Sequence, residues 1–293
     1  MSEIVVITGA ARSIGLELAL SLSADYGYDV FAGVRKESDF IEVTSQDRCG
    51  TTGIGSLTPL QMDVTKADEL AAAAEIVSTR ADGRGVKGII NCPGLLYNAF
   101  VEFVEIEKWN EAYDVQLNGN IRMFQAFANL LRQNGDARFV MLSSPMAFMG
   151  LPTMGSNALN RGATEALANV LRLELIGQGI QIPVIWPLGV RGGQVKKSEP
   201  QFEAMESMLN ENKAWAPYKD AYASFKAFMG SMTWQTDDVP PSVVVPAALA
   251  ALRDQHPKLR YVVGKGPEGD FLPESSGTFL KIYESKFWPN DIL

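Results

Sequence analysis

The stretch IVVITGAARSIGLELALSLSADYG, residues 4–27, decides the fold. Its first six residues, 4–9, are apolar and mostly β-branched, which is typical of a buried strand. The residues after them predict a helix, so the turn TGAARSIG, residues 8–15, joins the end of a strand to the start of a helix. A glycine in such a turn lets the backbone approach a phosphate, and the helix N-terminus supplies free N–H groups. The stretch therefore favours a nucleotide-binding α/β fold.

The same strand–helix unit repeats along the chain. Strands are predicted in residues 29–35, 55–64, 85–94, 137–144, 180–187 and 259–266, alternating with helical stretches such as 109–133. Alternation of this kind implies right-handed crossovers between neighbouring parallel strands. The sequence therefore predicts an α/β fold, a doubly wound (Rossmann) parallel sheet with helices on both faces.

We expect one Rossmann domain over residues 1–293, with three segments that depart from the repeat. Residues 39–58 are polar and glycine-rich, which predicts a loop or a small hairpin. Residues 191–242 are rich in Met, Phe, Trp and Tyr, and they predict a helical substrate-cap insertion over the carboxyl ends of the strands, where ligands bind in such sheets. Residues 267–293 are expected to form a C-terminal extension on the surface or on a partner.

Composition excludes several classes of function. The net charge of −8 argues against nucleic acid as a partner, since phosphate binding needs a basic face. No apolar run approaches ~18–20 residues, so no membrane span is expected, and the N-terminus has no signal-peptide pattern. Cys49 and Cys92 are expected to be free thiols in a reducing, cytoplasmic location. His256 is the single histidine, which argues against a Ser-His-Asp hydrolase and against a metal site.

Taken as a set, the motifs of residues 3–266 resemble the short-chain dehydrogenase/reductase family. Residues 8, 9 and 15 match the family turn T-G-x-x-x-G-x-G, in which Ser13 replaces the middle glycine. NCPG, residues 91–94, resembles the family's N-N-A-G, and WPLGV, residues 186–190, resembles its proline-glycine turn with Leu188 inserted. The predicted cofactor contacts are Gly9, Arg12, Ser13, Ile14, Gly15, Arg35, Asp63, Val64, Asn91, Gly94, Arg161, Pro187, Gly189 and Val190.

Charge near the second strand selects the cofactor. An NAD site usually places a carboxylate after this strand to bind the ribose 2′-hydroxyl. Val34 occupies that place, Arg35 and Lys36 follow it, and Arg12 lies in the phosphate turn. Guanidinium groups suit a 2′-phosphate, so we expect NADP(H). The alternative is that both arginines are solvated surface charges.

The resemblance also implies a catalytic scheme. In the family, a tyrosine protonates the substrate oxygen, and a lysine four residues on lowers its pKa and holds the nicotinamide ribose. A serine binds the substrate oxygen, and an upstream asparagine holds a water relay. Ser144 takes the serine's position, but Asn157 stands thirteen residues on, Arg161 four further, and Gln116 most naturally replaces the asparagine, with Asn118 two residues away.

These replacements remove the acid. An amide releases no proton at useful pH, and a guanidinium is a poor proton shuttle. Ordinary ketone reduction by the family route is therefore predicted to be impaired. Tyr222 and Lys226 repeat the tyrosine–lysine spacing in the cap segment, as an accidental helical pair or as a substitute donor. Tyr218 and Tyr97 are further candidate donors.

Three functions remain open. The first is hydride transfer to a bulky apolar substrate that needs no tyrosine acid, such as an iminium or an activated alkene. The second is a non-redox cyclase, isomerase or lyase, and the third is a non-catalytic NADP(H)-binding sensor or scaffold. The apolar helical stretches 120–131 and 162–175 occupy the positions through which family members pair, so we expect a homodimer or homotetramer.

Overall fold

The computed structural model describes residues 2–52, 54–190, 193–231, 239–266 and 269–270. The strands in these ranges are β1 (Ile4–Thr8), β2 (Asp29–Val34), β3 (Ser56–Gln61), β4 (Gly88–Asn91), β5 (Ala137–Leu142), β6 (Ile180–Gln181), β7 (Val184–Leu188), β8 (Arg260–Gly266) and β9 (Gly269–Asp270). The helices are α1 (Ser13–Ala24), α2 (Ser38–Ser45), α3 (Cys49–Thr52), α4 (Ala67–Ala81), α5 (Ile106–Tyr113), α6 (Gly119–Asn134), α7 (Gly155–Glu174), α8 (Gly193–Glu211), α9 (Lys219–Ser231) and α10 (Val245–Arg253).

The sheet is doubly wound, which confirms the predicted fold class. Its strand order is β3-β2-β1-β4-β5-β7-β8-β9, with β6 paired to β5. The strands from β3 to β8 pair in parallel, and β9 pairs antiparallel with β8. The order reverses between β1 and β4, and ligands bind at the carboxyl ends of the strands at such a reversal. This edge is where the candidate site lies.

Helices cover both faces of the sheet. Val5 and Ile7 of β1 pack into one core with Leu18 of α1 and Ala248 of α10. The alternate residues of β1 pack into a second core with Phe127 of α6 and others from α4 and α7. Successive side chains of a strand point to opposite faces, so a strand buried on both faces has to be apolar throughout. That requirement explains the continuous apolar runs in the sequence.

Three predicted elements differ in the structure. Residues 39–58 are not a loop or hairpin, because they contain most of α2, all of α3 and the start of β3; in α2, Val43 is fully buried against the sheet. The predicted helix 109–133 is broken by a π-helical turn, Asp114–Asn118. The predicted strand 180–187 is two pieces, β6 and β7, and the break contains Pro183, which cannot donate to the strand ladder.

The segment 191–242 contains two helices, α8 and α9, joined by a 3₁₀ turn, Lys213–Tyr218. Aromatic contacts attach this turn to the segment that follows β4: Phe103 stacks on Trp215 with ring centroids 4.4 Å apart, and Phe100 lies 4.5 Å from Tyr218. Residues 191–192 and 232–238 lie outside the described residues, and so does the predicted C-terminal extension apart from Gly269–Asp270. Within the described ranges, no helix is both long and apolar enough to cross a membrane.

Asp136 pairs with two buried cations at the amino end of β5. Its carboxylate lies 2.7 Å from Lys87 Nζ and 2.6 Å from Arg138 Nη1. Partial burial raises the pKa of Asp136, but the hydrogen bonds from Lys87 and Arg138 outweigh it and lower the pKa below its ordinary value. A carboxyl group whose pKa is lower in the folded state stabilises the fold above about pH 4, and that contribution is lost as the pH falls through the folded-state pKa.

The Asp136 side chain is 61% exposed, so water screens its charge. We therefore expect Asp136→Asn to lower the free energy of unfolding at pH 7 by about 0.5–1 kcal/mol, because two buried cations lose a charged acceptor. The difference from the wild-type protein should shrink as the pH falls below about 4. Urea unfolding at pH 7 and pH 3 measures both effects. Glu75→Gln, on the exposed face of α4, is the control for loss of a carboxylate. An equal difference at both pH values would show that the ion pairs are not the cause.

Candidate active site

The turn between β1 and α1 brings backbone N–H groups to the reversal point of the sheet. Gly9 has a φ of +65°, and a Cβ there would lie 3.2 Å from the backbone N of Pro93. A Cβ at Gly15 would collide with the carbonyl oxygen of Gly9. Glycine is therefore required at both positions by the close approach of the chain. Ser13, in place of a glycine, has a φ of 52°, a left-handed conformation that serine rarely adopts. The turn can hold a phosphate at the N-terminus of α1.

Three cations lie exposed beside this turn. Arg12, Arg35 and Lys36 are all exposed, and among the described residues none of them has a carboxylate within ion-pair distance. Val34, at the position of the usual NAD-binding carboxylate, is buried. Asp63 lies further along this edge, where its Oδ1 accepts hydrogen bonds from the N–H of Thr65, at 2.9 Å, and from its hydroxyl, at 2.7 Å.

A chain of buried amides connects the phosphate turn to the centre of the site. The Thr8 hydroxyl donates to Asn91 Oδ1, and Asn91 Nδ2 donates to Asn120 Oδ1 at 2.6 Å. Asn120 Nδ2 then donates to the backbone carbonyl of Gln116 at 2.6 Å. This carbonyl lies inside the π-helical turn that interrupts the predicted helix. Sequence reasoning matched Thr8 to the family turn but gave its side chain no role. It missed Asn120, although a polar residue in the apolar stretch 120–131 was a usable signal.

Gln116 carries an unused acceptor inside the protein. Its side chain is 2% exposed, and its Nε2 donates to the carbonyl of Leu95 at 2.6 Å. Its Oε1 is buried without a hydrogen-bond partner among the described residues. Asn118, the neighbouring alternative, donates instead to Asp114 at 2.9 Å. Gln116 therefore keeps an acceptor that a ligand or a water molecule can satisfy.

Ser144, Asn157 and Arg161 meet at the carboxyl end of β5. A short 3₁₀ turn, Pro145–Ala147, follows Ser144 and packs against α7, and the Ser144 hydroxyl oxygen accepts from the N–H of Met146 at 3.3 Å. Asn157 and Arg161 lie one turn apart on the buried face of α7. Arg161 Nε donates to Asn157 Oδ1 at 3.3 Å, and Arg161 Nη1 donates to the carbonyl of Leu142 at 2.7 Å.

Arg161 is a buried cation that has no counterion in the described part of the chain. Its side chain is 9% exposed, and among the described residues no carboxylate lies within ion-pair distance of it. Burial lowers the pKa of Arg161 to about 10, so the guanidinium still carries its charge at neutral pH. A buried charge is costly unless something compensates it. The charge of Arg161 therefore favours binding of an anion, or of an oxygen that gains negative charge during a reaction.

The three candidate substitute donors are bonded to carboxylates elsewhere. The Tyr222 hydroxyl lies 3.3 Å from Glu206, which also pairs with Lys226 at 2.7 Å; burial, followed by the charge of Glu206, raises the pKa of Tyr222 to about 12. Tyr218 donates to Glu102 at 2.5 Å and Tyr97 donates to Glu105 at 3.4 Å. In the described part of the chain, none of these hydroxyls bonds to Ser144, Asn157 or Arg161.

Among the remaining predicted residues, those at the end of β7 lie at the same edge of the sheet as the site. Pro187 is paired with Val263 of β8, and Gly189, with a φ of 57°, and Val190 follow the end of β7. Cys92 follows β4, and burial raises the pKa of its thiol to about 12, so it carries no thiolate at neutral pH. His256 is exposed beyond the end of α10. Among the described residues, no cluster of three or more His, Cys, Asp or Glu could hold a metal ion.

Comparison with known proteins identifies the family. The family model described as short chain dehydrogenase matches residues 3–203 of the 293 in the chain. This is more than half of the protein, and the fold and the motifs agree with it. The chain belongs to the short-chain dehydrogenase/reductase family, and its fold and relatives are those of oxidoreductases.

Relatives extend across bacteria and mammals. Mitochondrial D-beta-hydroxybutyrate dehydrogenase of Bos taurus is 30% identical over 64% of this chain, and the match spans about half of that enzyme, 54% of its length. Retinol dehydrogenase 7 of Mus musculus is 28% identical over 97% of this chain and 87% of its own length. A short chain dehydrogenase from Burkholderia cenocepacia, solved in complex with NADP, superposes with a TM-score of 0.69 at 19% identity, covering 98% of each chain.

Proposed function

We propose that this protein is an NADP(H)-dependent oxidoreductase that transfers hydride without a tyrosine acid. The observation that carries the proposal is the pair formed by Asn157 and Arg161 beside Ser144, at the positions where the family spacing expects tyrosine and lysine. The pair can orient a substrate oxygen, but neither side chain supplies a proton readily at neutral pH. The acceptor must therefore be one whose reduction does not need a proton at the moment of hydride transfer.

Charge supports NADP(H) as the cofactor. The exposed Arg12, Arg35 and Lys36 have no carboxylate partner in the described ranges, so they are free to bind the 2′-phosphate with charge-assisted hydrogen bonds. No carboxylate stands at the end of β2, where Val34 is buried, so the usual contact to an NAD ribose is missing. When bound, the cofactor would supply the hydride.

Two kinds of hydride acceptor need no proton at the moment of hydride transfer. An iminium carbon accepts hydride and becomes an amine without protonation. An activated alkene accepts hydride at one carbon and takes its proton later, from water, at the other. Buried aromatic and methionine side chains, among them Met146, Met149, Phe100 and Trp215, form an apolar cluster between the cap and the body. An apolar cap of this kind favours a bulky apolar substrate.

Measurement with the purified protein tests this proposal. NADPH oxidation, followed by loss of its absorbance, is compared for a simple ketone, a cyclic iminium and a bulky α,β-unsaturated ketone, each with product analysis. We expect NADPH oxidation with the iminium or the unsaturated ketone and little with the simple ketone. Turnover of a substrate without NADPH oxidation would contradict the proposal in favour of a non-redox enzyme. Tight NADPH binding without any turnover would favour a sensor or scaffold.

We also propose that the protein is a homo-oligomer that pairs through α7. Leu159, Val170 and Leu173 lie on one side of this helix, and each is at least half exposed. A row of exposed apolar residues of this kind favours an interface. Light scattering after size exclusion should give a dimer or tetramer for the wild-type protein, and Leu173→Glu should lower the assembly state. A wild-type protein that stays monomeric at micromolar concentration would contradict the assignment.

A further inference from the structure

The charge of Arg161 discriminates between the two acceptors that the proposed function leaves open. This guanidinium is 9% exposed, and no carboxylate among the described residues pairs with it. Buried like charges repel each other strongly, since the interior screens them less than water does. A cationic iminium beside an uncompensated guanidinium would add a second buried positive charge. A neutral substrate that becomes negative during the reaction would instead compensate the first one.

The hydrogen bonds of the pair leave one donor on each side chain unused. Asn157 Oδ1 accepts from Arg161 Nε, so the Nδ2 of the same amide is left as a donor. Arg161 Nη1 is held by the carbonyl of Leu142, which leaves Nη2. Within the described part of the chain, neither Asn157 Nδ2 nor Arg161 Nη2 has a hydrogen-bond partner. Pre-positioned donors of this kind stabilise an oxygen that gains negative charge in the transition state.

We propose that the substrate is a neutral α,β-unsaturated carbonyl compound, whose carbonyl oxygen is bound by Asn157 and Arg161 and becomes an enolate. This inference rests on the proposed function. Hydride leaves C4 of NADPH and bonds to the β-carbon, while the electron pair of the C=C bond moves so that the carbonyl oxygen becomes anionic. NADPH is oxidised to NADP⁺ and the alkene is reduced. The α-carbon of the enolate then takes a proton from water, which gives the saturated carbonyl compound.

The same argument explains why a simple ketone is a poor substrate. Its reduction places the negative charge on an alkoxide, a stronger base than an enolate, and an alkoxide needs an acid close by. Asn157 does not supply a proton, and Arg161 is a poor proton shuttle whose guanidinium is held by Asn157 and the Leu142 carbonyl. The three candidate tyrosines are bonded to carboxylates elsewhere. An enolate spreads its charge by conjugation and can be held by the two donors until water protonates it.

Phenols test this inference because a phenolate, like an enolate, carries an anionic oxygen on an sp² carbon and is otherwise apolar. The protein, saturated with NADP⁺, is titrated with a series of substituted phenols and 2-naphthol, and ultraviolet absorption distinguishes the bound phenolate from the bound phenol. We expect binding as the phenolate, with a pKa of the bound phenol lowered by at least one unit, a tenfold preference for the anion. Arg161→Met should remove the preference and weaken phenolate binding at least tenfold, whereas Arg161→Lys should keep part of it.

Three results distinguish failure of the enolate inference from failure of the proposed function. Binding of NADP⁺ with phenols bound only in the neutral form, or with none bound at all, would overturn the enolate inference and leave the proposed function standing. Faster NADPH oxidation with a cyclic iminium than with a matched unsaturated ketone would also overturn the enolate inference and leave the proposed function standing. Failure of NADP⁺ and NADPH to bind, measured by calorimetry on the folded wild-type protein, would overturn the proposed function and this inference with it. A thermal melt of Arg161→Met, compared with that of the wild-type protein, checks that the variant is folded.

Discussion

Asn157→Tyr combined with Arg161→Lys is expected to raise NADPH-dependent reduction of simple ketones by about 10²–10⁴-fold, the usual contribution of a positioned general acid. The two side chains lie one turn apart on α7, beside Ser144, so the double variant restores an acid and a nearby ammonium at the end of β5. The lysine ammonium should favour the ionised form of the tyrosine and so lower its pKa. Steady-state rates with a panel of simple ketones measure the gain.

A matched variant tests whether the gain in rate comes from the tyrosine hydroxyl. Asn157→Phe with Arg161→Lys has the same ring and the same cation but no hydroxyl, so it should show no gain. Adding Ser144→Ala to the tyrosine variant should remove most of the gain, because the serine hydroxyl is the predicted ligand of the substrate oxygen. A double variant that folds and binds NADPH but gains nothing would mean that residues 157 and 161 do not face the reacting carbon.

The preference for NADPH over NADH is expected to depend on Arg12 and Arg35. Arg12→Ser combined with Arg35→Asp should weaken NADPH binding relative to NADH by about 10²–10³-fold, since hydrogen bonds to charged groups contribute about 1.5–3 kcal/mol each. Both arginines are exposed at the end of the phosphate turn and of β2, and neither has a carboxylate partner in the described ranges. The new carboxylate at position 35 would repel the 2′-phosphate and could accept a hydrogen bond from the NADH ribose.

Fluorescence titrations with NADPH and NADH measure this ratio at two salt concentrations. The preference of the wild-type protein for NADPH should fall with salt, since charge–charge attraction at exposed sites is screened. Arg132→Asp combined with Lys108→Ser, at two exposed positions on α6 and α5, lowers the net charge by the same amount and is the control. Equal affinities of the wild-type protein for the two cofactors would show that Arg12 and Arg35 are surface charges without a role in binding.

The fold was largely predictable because its signals are local. The apolar run of β1 and the turn after it identify the first unit, and each later unit repeats the pattern. The elements that could not be predicted depend on contacts between distant residues. Helix α2 is only eight residues long, and its one fully buried residue, Val43, packs against residues of the sheet that are distant in sequence. The π-helical turn precedes Asn120, whose side chain also accepts a hydrogen bond from Asn91 at the end of β4.

The sequence predicted how Asn157 and Arg161 lie relative to each other, but not the electrostatics around them. Spacing alone placed Asn157 and Arg161 one turn apart on one helix, and the structure joins them by a hydrogen bond. Spacing could not reveal that Arg161 is buried with no carboxylate beside it in the described ranges, because that depends on every element packed around α7. It also could not reveal that Gln116 bonds to the Leu95 carbonyl and leaves its Oε1 without a partner.

A crystal structure with bound NADPH tests the central claim most directly, because it identifies the side chains around C4 of the nicotinamide. We expect the dinucleotide along the carboxyl ends of β1, β2 and β4, its nicotinamide near Ser144, and the side chains of Asn157 and Arg161 facing the space over C4, within ~3.5 Å of a bound substrate oxygen. A tyrosine hydroxyl in that space, or a protein that binds no dinucleotide, would contradict the account.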